Sequence, residues 1–374
     1  MFRPVFLTLL EKFLAEKSID EIRSGIDRLD TDIVRLLNER AMLALEIGRL
    51  KAREGRPVYA PERELAVYKR LSAINQGPLP LETLKAVYRE LMSGCISLEQ
   101  PVVIAYLGPE YSFTHPAALR KFGSTVHYRP QPTIAAAFDE ISHGRVTYAV
   151  VPIENSTEGG ISDTMDCLMT TEAKICAEIV IPIHLSLLSK SPKEKVRRIY
   201  SKPQALAQCR VYLATHLPHA ELVEAASTAR AAEIAVSEEG AAAVASFEAG
   251  AVYGLPVVAE NIEDVGQNAT RFLVIGKESS NPSGNDRTSV IFSVKDEVGA
   301  LFRMLEPFRS AGINLTRIES RPSKKRAWNY IFFVDLEGHT SDPKVSNALS
   351  ELEGRCKFLS VLGSYPVSRE WVER

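Results

Sequence analysis

Apolar residues at Ile22, Ile26, Leu29, Ile33, Leu36, Leu43, Ile47 and Leu50 recur at intervals of four and three, with one interruption at position 40. That spacing is the seam of a single helix. Ser18-Ile-Asp-Glu21 supplies a capping box at its start. The predicted helix runs from about 19 to 53 and spans roughly 50 Å at about 1.5 Å per residue. A small monomeric domain cannot cover a seam that long. Pro61 opens a second helix bearing Leu65, Tyr68 and Leu71, and Pro80 a third bearing Leu84, Val87, Leu91, Cys95 and Leu98. Residues 18–98 contain no convincing strand, so the first segment is all-helical.

The interruption is Arg40. Lys51 lies eleven residues further on, about three turns, and faces nearly the same way. An isolated cation on such a face is ordinarily a snorkelling side chain. Here Arg23, Arg40, Lys51 and Arg63 accumulate in one segment, and cations gathered in a bundle core call for a polyanion. Arg23 and Lys51 are 28 residues apart, roughly 42 Å along one helix. A small ligand shared by both needs Arg23 from a second, antiparallel chain, which implies a homodimer with crossed long helices.

The runs "IRSGIDRLDTDIVRLLNERAMLALEIGRLK", "RPVYAPERE" and "YRELMSGCISLEQ" resemble the all-helical chorismate mutases over residues 18–100. The resemblance implies rearrangement of chorismate to prephenate. Arg23 of a partner, Arg40 and Arg63 would hold the two carboxylates, and Lys51 would bond the breaking ether oxygen. Glu64 matches the family's hydroxyl contact. Three positions depart from the pattern. Ala60 stands where some members have aspartate, Cys95 where serine is frequent, and Glu99 where glutamine can donate to the ether oxygen. A carboxylate donates there only when protonated.

From Val102 the grammar changes. "VVIAYLG", "TVHYR", "TYAVVPI", "IVIPIHLSLL", "RIYS" and "RFLVIG" read as strands with helical stretches between many of them, such as Ala135–Ser142 and Gln204–Ala214. That alternation predicts α/β architecture with largely parallel sheet. "VPIENSTEGG" crowds Glu154, Asn155, Ser156, Thr157 and Glu158 onto one strand end, ahead of two glycines. The plain reading is a polar turn capping a helix near Ile161, which accounts for one or two of those residues. Ligands of α/β sheets sit beyond strand carboxyl ends. "YLGPEYSFTH" adds Ser112 and Thr114, "YSKPQALAQC" adds Ser201 and Gln208, and "NIEDVGQNATRF" puts Asn268, Thr270 and Arg271 before a strand.

In this order these segments resemble prephenate dehydratase over about 102–278. "ENSTEGG" and "NATRF" are its most specific runs. The resemblance implies two α/β lobes, as in periplasmic binding proteins, with a cleft that converts prephenate to phenylpyruvate. Asn155, Ser156, Thr157, Ser201 and Gln208 would be neutral substrate contacts, with Ser112 and Thr114 on the first loop. Thr270 would lie closest to the leaving hydroxyl, with Glu154 as the rival acid. Arg271 would hold a carboxylate or brace the loop. His115 reads as structural. Tyr111 stands where the family's first loop usually has glycine.

"SSNPSGND", Ser279 to Asp286, is a linker by composition. The β-α-β-β-α-β order after it is ferredoxin-like, α+β. "KDEVGALFRMLEPF" and "GINLTRIESRP" resemble the ACT regulatory domain fused to dehydratases. They imply a phenylalanine site from Gly299, Ala300, Leu301, Asn314, Leu315, Glu319, Ser320, Arg321 and Pro322, between two such domains.

The expected domains are 1–100, 101–279 and 286–374. Net charge is −2 with no basic block, so no nucleic-acid partner is expected, and no run approaches a membrane span. The N-terminal "MFRPVFLTLLEKF" is cut off too early for a signal peptide. Five scattered cysteines without a CxxC pair suggest a reducing cytoplasm and no metal. No phosphate loop or dinucleotide fingerprint appears, so no cofactor is expected. As a whole the chain resembles the bifunctional chorismate mutase–prephenate dehydratases. Arogenate dehydration and a non-catalytic aromatic amino-acid sensor are the competing readings.

Overall fold

The computed structural model describes residues 18–294, 297–322 and 330–368. The N-terminal apolar run of residues 5–10 lies outside them, as do residues 295 and 296 at the start of the first run quoted for the last module.

Three helices form the first unit: α1 (Ile19–Glu54), α2 (Pro61–Ile74) and α3 (Leu81–Glu99). Both reciprocal bonds of the Ser18/Glu21 capping box are present, and α1 stops at Gly55 in the left-handed conformation. Within one chain the seam of α1 stays largely uncovered: Leu29 is 62% exposed and Leu43 69%. Tyr59, between α1 and α2, is buried against Phe122 and Tyr148 and anchors this unit to the next.

The second unit has two lobes. The first contains β1 (Val103–Leu107), α4 (Thr114–Phe122), β2 (His127–Gln131), α5 (Ile134–Ser142), β3 (Tyr148–Asn155), β4 (Gly159–Gly160), α6 (Ser162–Leu168) and β5 (Lys174–Pro182). The second contains β6 (Ser186–Leu188), β7 (Arg198–Ser201), α7 (Pro203–Gln208), α8 (Arg210–His216), β8 (Glu221–Glu224), α9 (Thr228–Ser237), β9 (Ala241–Ala245), α10 (Phe247–Tyr253) and β10 (Val257–Ala259). The chain then returns to the first lobe as β11 (Ala269–Gly276). The sheets are ordered β2-β1-β3-β11-β5 and β10-β6-β9-β7-β8.

Three local expectations are corrected. "IVIPIHLSLL" is two strands in different sheets, because the chain leaves the first lobe at Pro182. The sheets are mixed: β11 runs antiparallel to both β3 and β5, and β6 antiparallel to both β9 and β10, because the crossing strands enter each lobe from the cleft side. The predicted helix 204–214 breaks at Cys209, where the Asp264 carboxylate accepts from the amides of Val211 and Tyr212 and starts α8 afresh.

The third unit contains β12 (Asp286–Ser293), α11 (Ala300–Ser310), β13 (Leu315–Pro322), β14 (Tyr330–Glu337), α12 (Pro343–Arg355) and β15 (Phe358–Pro366), in the antiparallel order β13-β14-β12-β15. One sheet face packs on its own helices through Phe292, Phe308, Val334 and Leu352. The other face shares a core with the first lobe, where Ile291, Phe333, Leu362 and Tyr365 meet Ile153, Met165, Ile175 and Leu273. No described helix is long and apolar enough to cross a membrane.

Candidate active sites and their surroundings

In the helical unit, half-buried Arg40 lies 3.3 Å from the Cys95 thiol, with its guanidinium 5.9 Å from the centre of the Tyr88 ring. Further along α1, Lys51 Nζ donates to the Val58 carbonyl at 2.7 Å. Between them Gly48 lets α3 approach closely: a Cβ there would lie 2.6 Å from Glu99 Cγ. Glu99 is thereby laid toward Lys51. Its Oε2 is buried without a hydrogen-bond partner. Burial pushes the Glu99 carboxyl above its ordinary range, against the pull of Lys51.

Arg40 meets Cys95 and Lys51 faces Glu99, and these two pairs mark one stretch of the interface between α1 and α3. Arg23 is far from it, exposed, and paired only loosely with Asp20 at 3.7 Å. Arg63 is exposed on α2. Glu64 is not free: its carboxylate accepts from Tyr59 at 2.9 Å and pairs with Lys121 of α4 at 3.0 Å. Ala60 is the N-cap of α2 and offers no side-chain cap.

In the two-lobed unit the polar strand end is not a helix cap. The N-cap of α6 is Ile161, with no side-chain bond. Thr270 pairs with Asn155 across β3 and β11, and Asn155 Nδ2 donates to Thr270 Oγ1 at 2.9 Å and Asn268 Oδ1 at 2.8 Å. Asn155 Oδ1 accepts from the Thr157 amide and hydroxyl and the Glu158 amide, which shapes the turn. Ser156 Oγ accepts from the Ala269 amide at 2.9 Å. Gln208, from the second lobe, reaches across: its amide nitrogen donates to Thr157 and Glu158, and its oxygen accepts from Asn268 at 2.9 Å. Asn268 is therefore the hub that joins the lobes. In the sequence it was visible only as one of several pre-strand turn residues.

The first loop lies nearby. Ser112 Oγ donates to the Leu107 carbonyl, and Thr114 is buried at the start of α4. Tyr111 takes φ 65, the left-handed region that favours glycine. The loop keeps that conformation at a steric cost, offset by ring contacts of Tyr111 with His115 and with Tyr253 of the second lobe. His115 stacks on Tyr106 at 4.8 Å, and its Nδ1 accepts from the Tyr111 amide. Burial lowers its pKa against the opposing charge of Glu110, which favours a neutral, structural imidazole.

Three residues read as cleft contacts point elsewhere. Ser201 is fully buried and donates to the Val244 carbonyl. Arg271, next to Thr270 on a strand, projects from the opposite face. It meets Asp335 of β14 at 2.7 Å, the Tyr365 hydroxyl at 2.9 Å and Glu178 at 2.8 Å. Glu154 pairs with Arg271 across the strands and lies 3.6 Å from its guanidinium, so it too faces away from Thr270. Burial pushes the Asp335 carboxyl up, but Arg271, Ser289 and Arg287 together hold it below its ordinary range.

Strand β13 divides the residues expected at an effector site. Glu319 pairs with Arg317 over Gly160, where a Cβ would collide with the Glu319 carboxylate. Arg321 donates to Ser162 and Asp166 of α6. Ser320 and Pro322 face outward, and Asn314, also exposed, donates to Glu337. Gly299 caps α11 in the left-handed conformation, followed by buried Ala300 and half-buried Leu301.

Three family models match in succession: chorismate mutase type II over residues 22–100, prephenate dehydratase over 104–280 and the ACT domain over 288–354. The bifunctional chorismate mutase/prephenate dehydratase of Aquifex aeolicus is 50% identical over 355 residues, spanning 94% of this chain and 98% of its own. The chain belongs to that bifunctional family. The Neisseria gonorrhoeae member is 44% identical over 360 residues, covering 94% and 99%. The structure of an Arthrobacter aurescens prephenate dehydratase in complex with L-Phe aligns with a TM-score of 0.67 at 33% identity, covering 71% of this chain and 90% of that one.

As a member of the bifunctional family, the protein is an enzyme with chorismate mutase and prephenate dehydratase activities toward phenylalanine biosynthesis. Its substrates are chorismate and prephenate, and the non-catalytic sensor reading falls. The helical unit is the mutase, the two-lobed unit the dehydratase and the last unit the ACT domain.

Proposed function

We propose that the dehydratase reaction occurs where Thr270, Asn155, Asn268 and Gln208 join the two lobes. In this reaction the bond to the ring carboxylate breaks and its electron pair enters the ring. The bond to the hydroxyl breaks, and the departing oxygen takes a proton. Thr270 polarises that hydroxyl, and Asn155, bonded to it, fixes its orientation. The observation that carries this reading is that Thr270, Asn155, Asn268 and Gln208 are all neutral, with the Glu158 carboxylate accepting from Gln208, while the Arg271 cation lies behind the sheet. A cation beside the departing carboxylate would stabilise the ground state and slow its loss. The deciding experiment follows turnover of prephenate by Thr270→Ala, argued in the Discussion. Faster turnover of arogenate than of prephenate by the same enzyme would reassign the substrate.

We further propose that the mutase site is shared in a homodimer. The exposed apolar stripe of α1 supports it, since a strip of that length on one helix calls for a partner. Arg23 of the partner would join Arg40, Arg63, Lys51 and Glu99. Glu99 must carry a proton to donate to the ether oxygen. Its raised pKa makes that state accessible, and the substrate's carboxylates raise it further. The sign follows directly: mutase turnover falls as pH rises through the pKa of the bound state, because the ionised carboxylate repels the ether oxygen. Glu99→Gln supplies a permanent donor and flattens that alkaline fall, with an unchanged dehydratase profile. A mutase pH profile identical to wild type would return Glu99 to an ordinary helix-end charge.

Phenylalanine would act as effector at the ACT domain, near the turn before α11 and along β13. Deleting this domain is a poor test, because it strips the shared core from the first lobe. Asn314→Ala with Ser320→Ala should instead weaken phenylalanine binding about tenfold, the order expected for lost hydrogen bonds to a charged ligand. Calorimetry gives the affinity. An unchanged value would move the effector to the cleft.

A further inference from the structure

The two strand ends of the dehydratase site share one alternation. Asn155 and Thr270 form one cross-strand pair and face the cleft. Glu154 and Arg271 form the adjacent pair and face the ACT domain. The register between β3 and β11 shifts immediately after Arg271, between Arg271 and Phe272. Such irregularities re-aim neighbouring side chains and recur beside active sites. Behind the sheet the Arg271 guanidinium is held at 2.7 Å by Asp335 and at 2.9 Å by Tyr365, both of the ACT domain. Glu154 in turn lies 3.8 Å from Arg317 of β13. The strand that carries Arg317 also carries the residues read as part of the effector site.

We propose that the Glu154–Arg271 pair is a positioning relay, which ties the spacing of Asn155 and Thr270 in the cleft to the placement of β13 and β14. This rests on the reading of Thr270 as the donor. Arg271 touches no reacting atom in this scheme. It acts one residue away, through the backbone it shares with Thr270. Arg271 and Arg287 are charge-balanced by Glu178 and Asp335 in a buried ionic network, in which the Nε of each arginine has no hydrogen-bond partner. Such a network has few alternative arrangements, so a shift of the ACT strands is passed to the strand end and not absorbed by rotamer changes.

The test uses the full-length enzyme. Asp335→Asn removes the charge that anchors Arg271 and leaves both lobes intact. Tyr365→Phe removes a single hydroxyl and serves the same purpose should Asp335→Asn fail to fold. Either should lower dehydratase kcat, about tenfold for Asp335→Asn, with KM and mutase turnover unchanged. Phenylalanine should still bind by calorimetry while its inhibition is reduced. Asp335→Asn should have little further effect in a Thr270→Ala background, since it acts through that residue. Unchanged kcat and inhibition in both variants would overturn the relay, as would a fully additive loss in the Thr270→Ala background. If Thr270→Ala itself keeps full turnover, the site reading fails instead. The relay then stands or falls on whether Asp335→Asn separates phenylalanine binding from inhibition.

Discussion

Thr270→Ala lowers dehydratase turnover by about 10²- to 10⁴-fold, the range for a group that delivers or polarises a proton, and leaves mutase turnover at the wild-type level. The Thr270 hydroxyl lies 2.9 Å from Asn155 Nδ2, and its residue is buried at the junction of the lobes. Thr270→Val separates shape from chemistry, because it keeps the branched side chain and deletes only the hydroxyl. Turnover near wild type in Thr270→Val would end its assignment as donor. Glu154→Gln provides the contrast. Glu154 faces Arg271 and Arg317 behind the sheet, so its loss should cost less than tenfold, through the strand end and not through proton transfer. The measurement is steady-state turnover of prephenate by each variant, with chorismate turnover as the internal control.

The second large effect concerns the mutase. Arg23→Ala and Lys51→Ala should each lower mutase turnover by about 10²-fold or more, as expected when a charge aimed at the transition state is removed. Mixed together they should recover part of it. With random exchange about half the dimers are hybrids, and each hybrid holds one intact site and one doubly altered site, which gives about a quarter of wild-type activity. The basis is geometric. Arg40 and Lys51 both face α3, against Cys95 and Glu99, whereas Arg23 is exposed near the far end of α1, beside Asp20. No recovery, with subunit exchange confirmed by mass, would place a complete site within one chain.

How much of this was legible beforehand differs between the units. In the helical unit nearly everything was. The helix bounds follow from a capping box, from prolines at the first helical position and from a seam of period 3.6, all of which act within a few residues. The proposal of a partner starts from the same seam, because a seam longer than its own domain is not covered by it. The Glu64–Lys121 pair was not readable, since it depends on how the helical unit docks against α4. In the two-lobed unit β1, β2, β3, β7 and β11 were found, but β8, β9 and β10 went unread, and the company each strand keeps was not legible. A continuous apolar run such as "IVIPIHLSLL" does not record that its halves serve different sheets.

The site shows the division most sharply. The sequence alone established three modules, much of their secondary structure, and the clustering of neutral hydrogen-bonding residues at one strand end and before another. Those are properties of neighbours along the chain. Only the tertiary structure decided which of those residues share a site. Thr270 and Arg271 are adjacent in sequence, yet one meets Asn155 and the other Asp335. A strand sends successive side chains to opposite faces, and which face is the cleft depends on what packs against the other. Here the ACT domain takes that other face, so Glu154 and Arg271 lie behind the sheet, while Asn268 and Gln208 are brought together across the lobes. The alternation is local and was visible from the start. The choice between its two faces is made by packing between segments far apart in the chain, and no local pattern carries it.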